Sequence, residues 1–306
     1  MKIARIELDG IERLARVDAD VVHPLRLDSG SPLRVLLATA SDGGDSSRNG
    51  EVESGPVEGG PDGGGPDGGG PDGGGPAEDA SVELGRVKLL APIARPGSVI
   101  AVGLNYADHA SESGLEAPPS PVTFAKLPQS IIGPGEVIRW SQQQSTEVDY
   151  EAELAVVIGA EARDVPVESA LGFVLGYTCC NDVSARDAQF SDGQWLRGKS
   201  FDTFCPLGPW LVTPEDIPDP QKLRIACRVN GETLQDSTTA QMIFSVAQII
   251  SYLSRFMTLL PGDVITTGTP AGVGFARTPP IYLSDGDTVE VDIEGIGVLV
   301  NTCGEG

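Results

Sequence analysis

Apolar and polar residues alternate over much of this chain, and a two-residue period predicts strands. "KIARIEL" and "IERLARV" alternate on either side of Asp9-Gly10, a dipeptide that closes tight hairpins. Further strands are expected near 86–90 and 98–103, at 150–158 ("YEAELAVVI"), at 172–180 ("GFVLGYTCC") and at 223–229 before an "NGE" hairpin turn. "DVITTGTPAGVG" reads as a strand entering a Gly loop, and "DTVEVDIEGIGVLVN" as a closing hairpin. One stretch keeps the other period. Residues 242, 246, 249, 250, 253, 256, 257 and 260 are apolar at helical spacing, and Pro261-Gly262 ends that helix. A short helix is expected after Asp182. Many short strands with one long helix fit a two-layer, β-rich α+β fold and not an alternating βα pattern.

Neither period survives from Ala40 to Ala80. That segment is Gly, Pro, Asp, Ser and Glu, with "PDGGG" three times between Pro61 and Gly75. It offers nothing to bury and is expected to be a disordered linker. The chain therefore divides into a small strand-rich N-terminal domain (1–39, continuing at 81–92), the linker (40–80) and a larger domain (93–303).

Charge narrows the partners. The net charge is −23, from 44 acidic and 21 basic residues, which argues against nucleic acid. Only five of the basic residues are Lys. An acidic, Lys-poor chain resembles proteins adapted to high salt, and this predicts lower stability at low salt. No apolar run reaches membrane-spanning length, and "MKIARIELDG" lacks the apolar centre of a signal peptide, so a soluble cytoplasmic protein is expected. The five cysteines form no CxxC pair and are expected to be reduced core residues. With only His23 and His109 present, a His-rich zinc site is excluded.

Two motifs carry possible chemistry. "GQWLRGKS" (193–200) formally matches a phosphate loop, but Pro206 and Pro209 follow where that mechanism needs a helix, so nucleotide binding is rejected. The second is the acidic start of "DYEAELAVVIG". Asp149, Glu151 and Glu153 would share one strand face, neighbours roughly 6.5 Å apart, and like charges so placed repel. Asp182 ends another apolar strand. If these carboxylates converge, a hard cation such as Mg²⁺, Mn²⁺ or Ca²⁺ suits them. Spacing alone leaves both a solvated acidic edge and a metal site open.

"GLNYADHASE", "FAKLPQSIIGPG", "DYEAELAVVIG", "GYTCCNDVSARDAQ", "GKSFDTFCPLGPWL" and "TTGTPAGVG" occur in this order. As a set, covering roughly residues 95 to 301, they resemble the fumarylacetoacetate hydrolase family. The resemblance implies a β-roll or sandwich catalytic domain behind the small N-terminal domain. It also implies a divalent ion, usually Mg²⁺, held by Glu151, Glu153 and Asp182. His109 and Glu112 correspond to a dyad on a lid over the metal, and Lys199 to a lysine that contacts substrate oxygens. Tyr106, Lys126, Arg186, Gln189 and Thr269 correspond to substrate-side positions. Longer members carry another metal-ligating Asp ahead of the lid. Here Asn105 stands in "GLNYADH" and no such Asp matches, so the likeness is to the shorter acylpyruvase, oxaloacetate decarboxylase and isomerase branch.

The implied chemistry is recognition of a small 2-oxo (β-diketo) acid through a metal-chelated enolate, with C–C hydrolysis, decarboxylation or isomerisation as the outcome. Two alternatives stand beside it: dehydration of a 2-keto-3-deoxy sugar acid, and a metal-binding protein with an inactive site. A homodimer is expected from the same resemblance.

Overall fold

The computed structural model describes residues 1–25, 31–36, 81–191 and 193–306. The linker expected at 40–80 lies outside the described residues. Among the described residues, strands form a 12-stranded sheet, a 5-stranded sheet and a 2-stranded one, with few helices. The large sheet is mixed and open: Val264–Thr266 runs parallel to Val99–Gly103, while Ala152–Ile158 is antiparallel to both its neighbours.

Ala152–Ile158 lies in the middle of that sheet, between Val174–Asn181 and Val264–Thr266, and all of it is buried. Its alternation sends side chains into two different cores. Leu154, Val156 and Ile158 pack with Ile225, Val291 and Leu299 of the 5-stranded sheet, while Ala155 and Val157 pack with Ile3, Leu207 and Val264. A strand buried on both faces reads as a continuous apolar run, as this one does. The sandwich follows from that double burial.

Both hairpin turns form as expected. Asp9 and Gly10 have φ of 53° and 74°, and Asn230 and Gly231 have 50° and 80°, the left-handed pair that a two-residue turn requires. The N-terminal strands belong to the large sheet, since Lys2 and Ile3 pair with Val212 and Leu211. They also carry a small apolar cluster of their own: Ala4, Ile6, Ala15, Val17 and Val22. All five cysteines are buried and free.

The helix expected over 242–260 is shorter, spanning Val246–Ser254. Ser245 and Gln248 form a capping box that fixes its start. Tertiary pairing takes the flanks: Met242 bridges to Tyr106, and Leu259 exchanges backbone hydrogen bonds with Ala162. The remaining apolar residues of the pattern, Phe256, Met257 and Leu260, are exposed. The short helix expected after Asp182 forms at Arg186–Ser191.

Candidate active site

Register builds the floor of the site. Ala152 pairs with Asn181 and Glu153 with Cys180, and the ladder continues one step as Asp182 N–H donates to the Glu151 carbonyl at 2.9 Å. Glu151 and Asp182 therefore oppose each other, and Glu153 lies two residues along the same face. Carboxylate oxygens of the three lie within 4.8 Å of one another, and all three residues are buried. The Asn181 side chain locks the corner by accepting the Glu151 N–H at 3.0 Å.

Asp149 departs from the expected alternation. It sits in a separate two-residue strand paired with Ser184–Ala185, and its carboxylate accepts from Arg186, at 2.8 and 2.9 Å, and from the Gly274 and Phe275 amides. It holds Arg186 and stays out of the cluster.

Side-chain cations neutralise part of the floor. Lys199 Nζ donates to Glu151 Oε2 at 2.6 Å and to Asp182 Oδ2 at 2.9 Å. Lys126 Nζ donates to Asp182 Oδ1 at 2.5 Å and also to the Lys199 carbonyl. Arg186 reaches Glu151 Oε1 at 2.7 Å. Burial works against the charge of Glu151, yet Lys199 and Arg186 hold its pKa at about 2. The carboxylates in turn raise the Lys199 pKa against burial.

Glu153 is the exception. It accepts the Gly268 N–H at 2.8 Å, and none of the described Lys or Arg side chains pairs with it. Burial, then repulsion from Asp182 and Glu151, push its pKa well above the ordinary carboxylate value. Gly268 can approach because it has φ of 94° and no Cβ, which would come within 2.8 Å of Asn105 Cβ. A buried, all-oxygen donor set with one unneutralised carboxylate fits a hard divalent cation. Another unsatisfied group lies close by: the Tyr106 hydroxyl is buried without a hydrogen-bond partner, and burial and Glu153 raise its pKa.

Above the floor opens a cavity of ≈620 Å³. His109 and Glu112 line it from the helix Ala107–Glu112, with His109 Nδ1 3.2 Å from Glu112 Oε2. The three-residue spacing puts both on one helix face. Gly272 N–H donates to the Glu112 carboxylate at 2.9 and 3.1 Å, tying this helix to the Gly loop. Burial raises the Glu112 pKa, but the His109 and Gly272 hydrogen bonds outweigh it and the net shift is downward.

Of the residues singled out from the sequence, His109, Glu112, Lys199, Glu151, Glu153, Arg186, Gln189 and Thr269 line this cavity. Asp182 and Lys126 lie beneath it, and Tyr106 is packed in the core. Sequence reasoning missed several supports. Gln235 accepts the Ala152 N–H and donates to Thr269 Oγ1, which fixes the strand end against the loop. It also missed the aromatic wall of Phe124, Phe190, Trp195 and Phe275. The available signal was scarcity: aromatics are 5% of the chain, and four of them meet here.

An open β-sandwich thus puts a buried carboxylate cluster at a cavity that an imidazole–carboxylate pair also lines. Residues 98–303 match the family model described as fumarylacetoacetate (FAA) hydrolase C-terminal, and the chain belongs to that family of enzymes. It is 50% identical over 217 residues to the oxaloacetate tautomerase Fahd2a, mitochondrial, of Rattus norvegicus, covering 71% of this chain and 69% of that protein. Among solved structures, the fumarylacetoacetate hydrolase of Exiguobacterium antarcticum matches with a TM-score of 0.80 at 39% identity, covering 100% of both chains. The 5-carboxymethyl-2-hydroxymuconate delta-isomerase of Mycobacterium smegmatis matches at 0.75 and 37%, again over 100% of both. The two sheets and the family relationship agree with the fold expected from the sequence. Among the described residues, no helix is long and apolar enough to cross a membrane.

Proposed function

We propose that the chain is a divalent-metal-dependent tautomerase of small 2-oxo acids, with oxaloacetate, the acid in the relatives' names, as a substrate. The observation that carries this reading is the His109–Glu112 pair, 3.2 Å apart, lining the same cavity as Glu151 and Glu153. Tautomerisation needs one proton carrier, and His109 is the imidazole available there. Hydrolysis and decarboxylation, the other outcomes expected of this family, ask for an activated water or a departing group as well.

Glu151, Glu153 and Asp182 would hold Mg²⁺, or Mn²⁺ or Ca²⁺, which when bound supplies the Lewis acid that polarises the 2-oxo group. Lys199, which contacts Glu151 and Asp182, adds positive charge beside the same oxygens. Arg186, Gln189 and Thr269 orient the carboxylate end. With its proton on Nδ1, His109 donates to the Glu112 carboxylate and leaves Nε2 to act as the base. Nε2 then carries a proton between C3 and the enol oxygen. Tyr106 and Lys126 act from behind, Lys126 by fixing Asp182. Dehydration of a sugar acid asks for hydroxyl-matching polar walls, whereas the far wall is aromatic.

The test is decay of enolic oxaloacetate followed by ultraviolet absorbance, with Mg²⁺ present. His109→Ala is expected to lower the catalysed rate about 10²–10⁴-fold. An unchanged rate removes His109 from the reaction. The reading also keeps a homodimer and a cytoplasmic place, and a one-chain mass by light scattering sinks the dimer.

A further inference from the structure

The aromatic wall of the cavity has no counterpart in a small dicarboxylic acid. A cavity of ≈620 Å³ is in the range of about 300–1,000 Å³ that takes drug-sized ligands, and a four-carbon acid leaves much of it empty. Two aromatic pairs build this wall. Phe124 and Trp195 meet edge to face with centroids 5.2 Å apart, and Phe190 and Phe275 do the same at 5.8 Å. Trp195 lies against Gly103: a Cβ there would come within 2.4 Å of the indole, so glycine is what lets the ring lie flat in the wall. Phe190 is 57% exposed at the mouth, a large apolar surface left without cover.

Charge accounting points the same way. The Lys and Arg side chains lining the cavity are Lys199 and Arg186. Lys199 is held by Glu151 and Asp182, and Arg186 by Asp149 and Glu151. Each also faces a ring of the wall, Arg186 4.4 Å from the Phe275 centroid and Lys199 5.3 Å from that of Phe124, but both are already paired with carboxylates, so a second substrate carboxylate against the rings would meet no unpaired Lys or Arg among the residues lining the cavity. An aryl group there would instead stack edge to face against rings already arranged for it.

Resting on the tautomerase reading, we propose that this site also takes 2-oxo acids bearing an aryl group on C3, phenylpyruvate being the simplest, and that Trp195 sets this preference. The reaction balances without a co-reactant. The enol O–H proton leaves, the C2=C3 pair takes a proton at C3, and C2=O forms. No atom is gained or lost.

Turnover of enolic phenylpyruvate and enolic oxaloacetate by the full chain with Mg²⁺ tests this. Phenylpyruvate kcat/KM is expected to be at least about one-tenth that of oxaloacetate, and Trp195→Ala is expected to lower the phenylpyruvate-to-oxaloacetate ratio about ten-fold or more. Phe190→Ala, at an exposed position, is expected to lower the ratio in the same direction and guards against a misfolded Trp195 variant. Calorimetry gives a readout without turnover. N-phenyloxamate, an inert mimic, is expected to bind about ten-fold more tightly than oxamate, and Trp195→Ala is expected to remove the difference. Turnover of oxaloacetate with a lower phenylpyruvate value than stated overturns this proposal and leaves the tautomerase reading standing. Turnover of neither acid overturns both. A ratio unmoved in both variants removes the wall from specificity.

Discussion

On the floor of the cavity, Glu151, Glu153, Asp182, Lys126, Lys199 and Arg186 are all buried, and all but Glu153 are joined by ion pairs of 2.5–2.9 Å. On its roof, His109 and Glu112 sit on a six-residue helix tied to the Gly loop through the Gly272 amide. The floor is fixed by strand register deep in the sheet, and it stores charge at the cost of desolvation. The roof is fixed by a single turn of helix and a backbone hydrogen bond. The difference teaches that the two ends respond to substitution in opposite currencies: floor variants should change stability and ion binding, roof variants mainly the rate.

The largest stability effect is expected for Lys199→Met in chelator-treated protein. Glu151 and Asp182 would lose their bridging ammonium while staying buried, a loss of about 3–5 kcal/mol by urea unfolding. Added Mg²⁺ should recover part of it. A loss under about 1 kcal/mol would mean that the pair is solvated and the floor is not closed.

A sharper contrast lies within the floor itself. Glu151→Gln removes the partner of Lys199 and Arg186 and should cost about 1–3 kcal/mol without metal. Glu153→Gln removes a carboxylate that repels its neighbours, so metal-free stability should hold or rise. Both should abolish Mg²⁺ binding by calorimetry. Equal destabilisation by the two would contradict the assignment of Glu153 as the unneutralised ligand.

The smallest effect concerns the roof. The Glu112 carboxyl is pulled below its ordinary value of about 4.5 against burial by His109 and Gly272, with Arg277 adding to the pull. A lowered carboxylate stabilises the folded state above its unfolded pKa, and this is lost as pH falls through the folded value. Glu112→Gln should therefore be slightly less stable than the wild type at neutral pH and converge with it in acid, so that its stability falls less steeply below about pH 4.5. An identical acid limb in the variant would show that Glu112 is not held as described.

Much of the floor was legible because strand periodicity is local. Two apolar strands, each with acidic residues at its end, needed only the right register to bring Glu151, Glu153 and Asp182 together. The ordered motifs then pointed to the family and to His109, Glu112 and Lys199. Local pattern failed where a residue's partner is distant. Alternation put Asp149 with the cluster, but the strand breaks after it, and the Tyr150, Gly274 and Phe275 amides hold its carboxylate on Arg186. The helical pattern of 242–260 was cut to Val246–Ser254 because bridges to Tyr106 and Ala162 compete for its ends.

By itself, then, the sequence determined many of the strands, the two hairpin turns and the shared face of Glu151 and Glu153, since each depends on neighbours in the chain. Only the tertiary structure decided which cation neutralises which carboxylate, that Lys126 supports rather than lines the cavity, and that Phe124, Phe190, Trp195 and Phe275 form a wall. Those outcomes depend on distances between positions from 17 residues apart (Asp182 and Lys199) to 151 (Phe124 and Phe275), which burial and close packing set and no local period encodes.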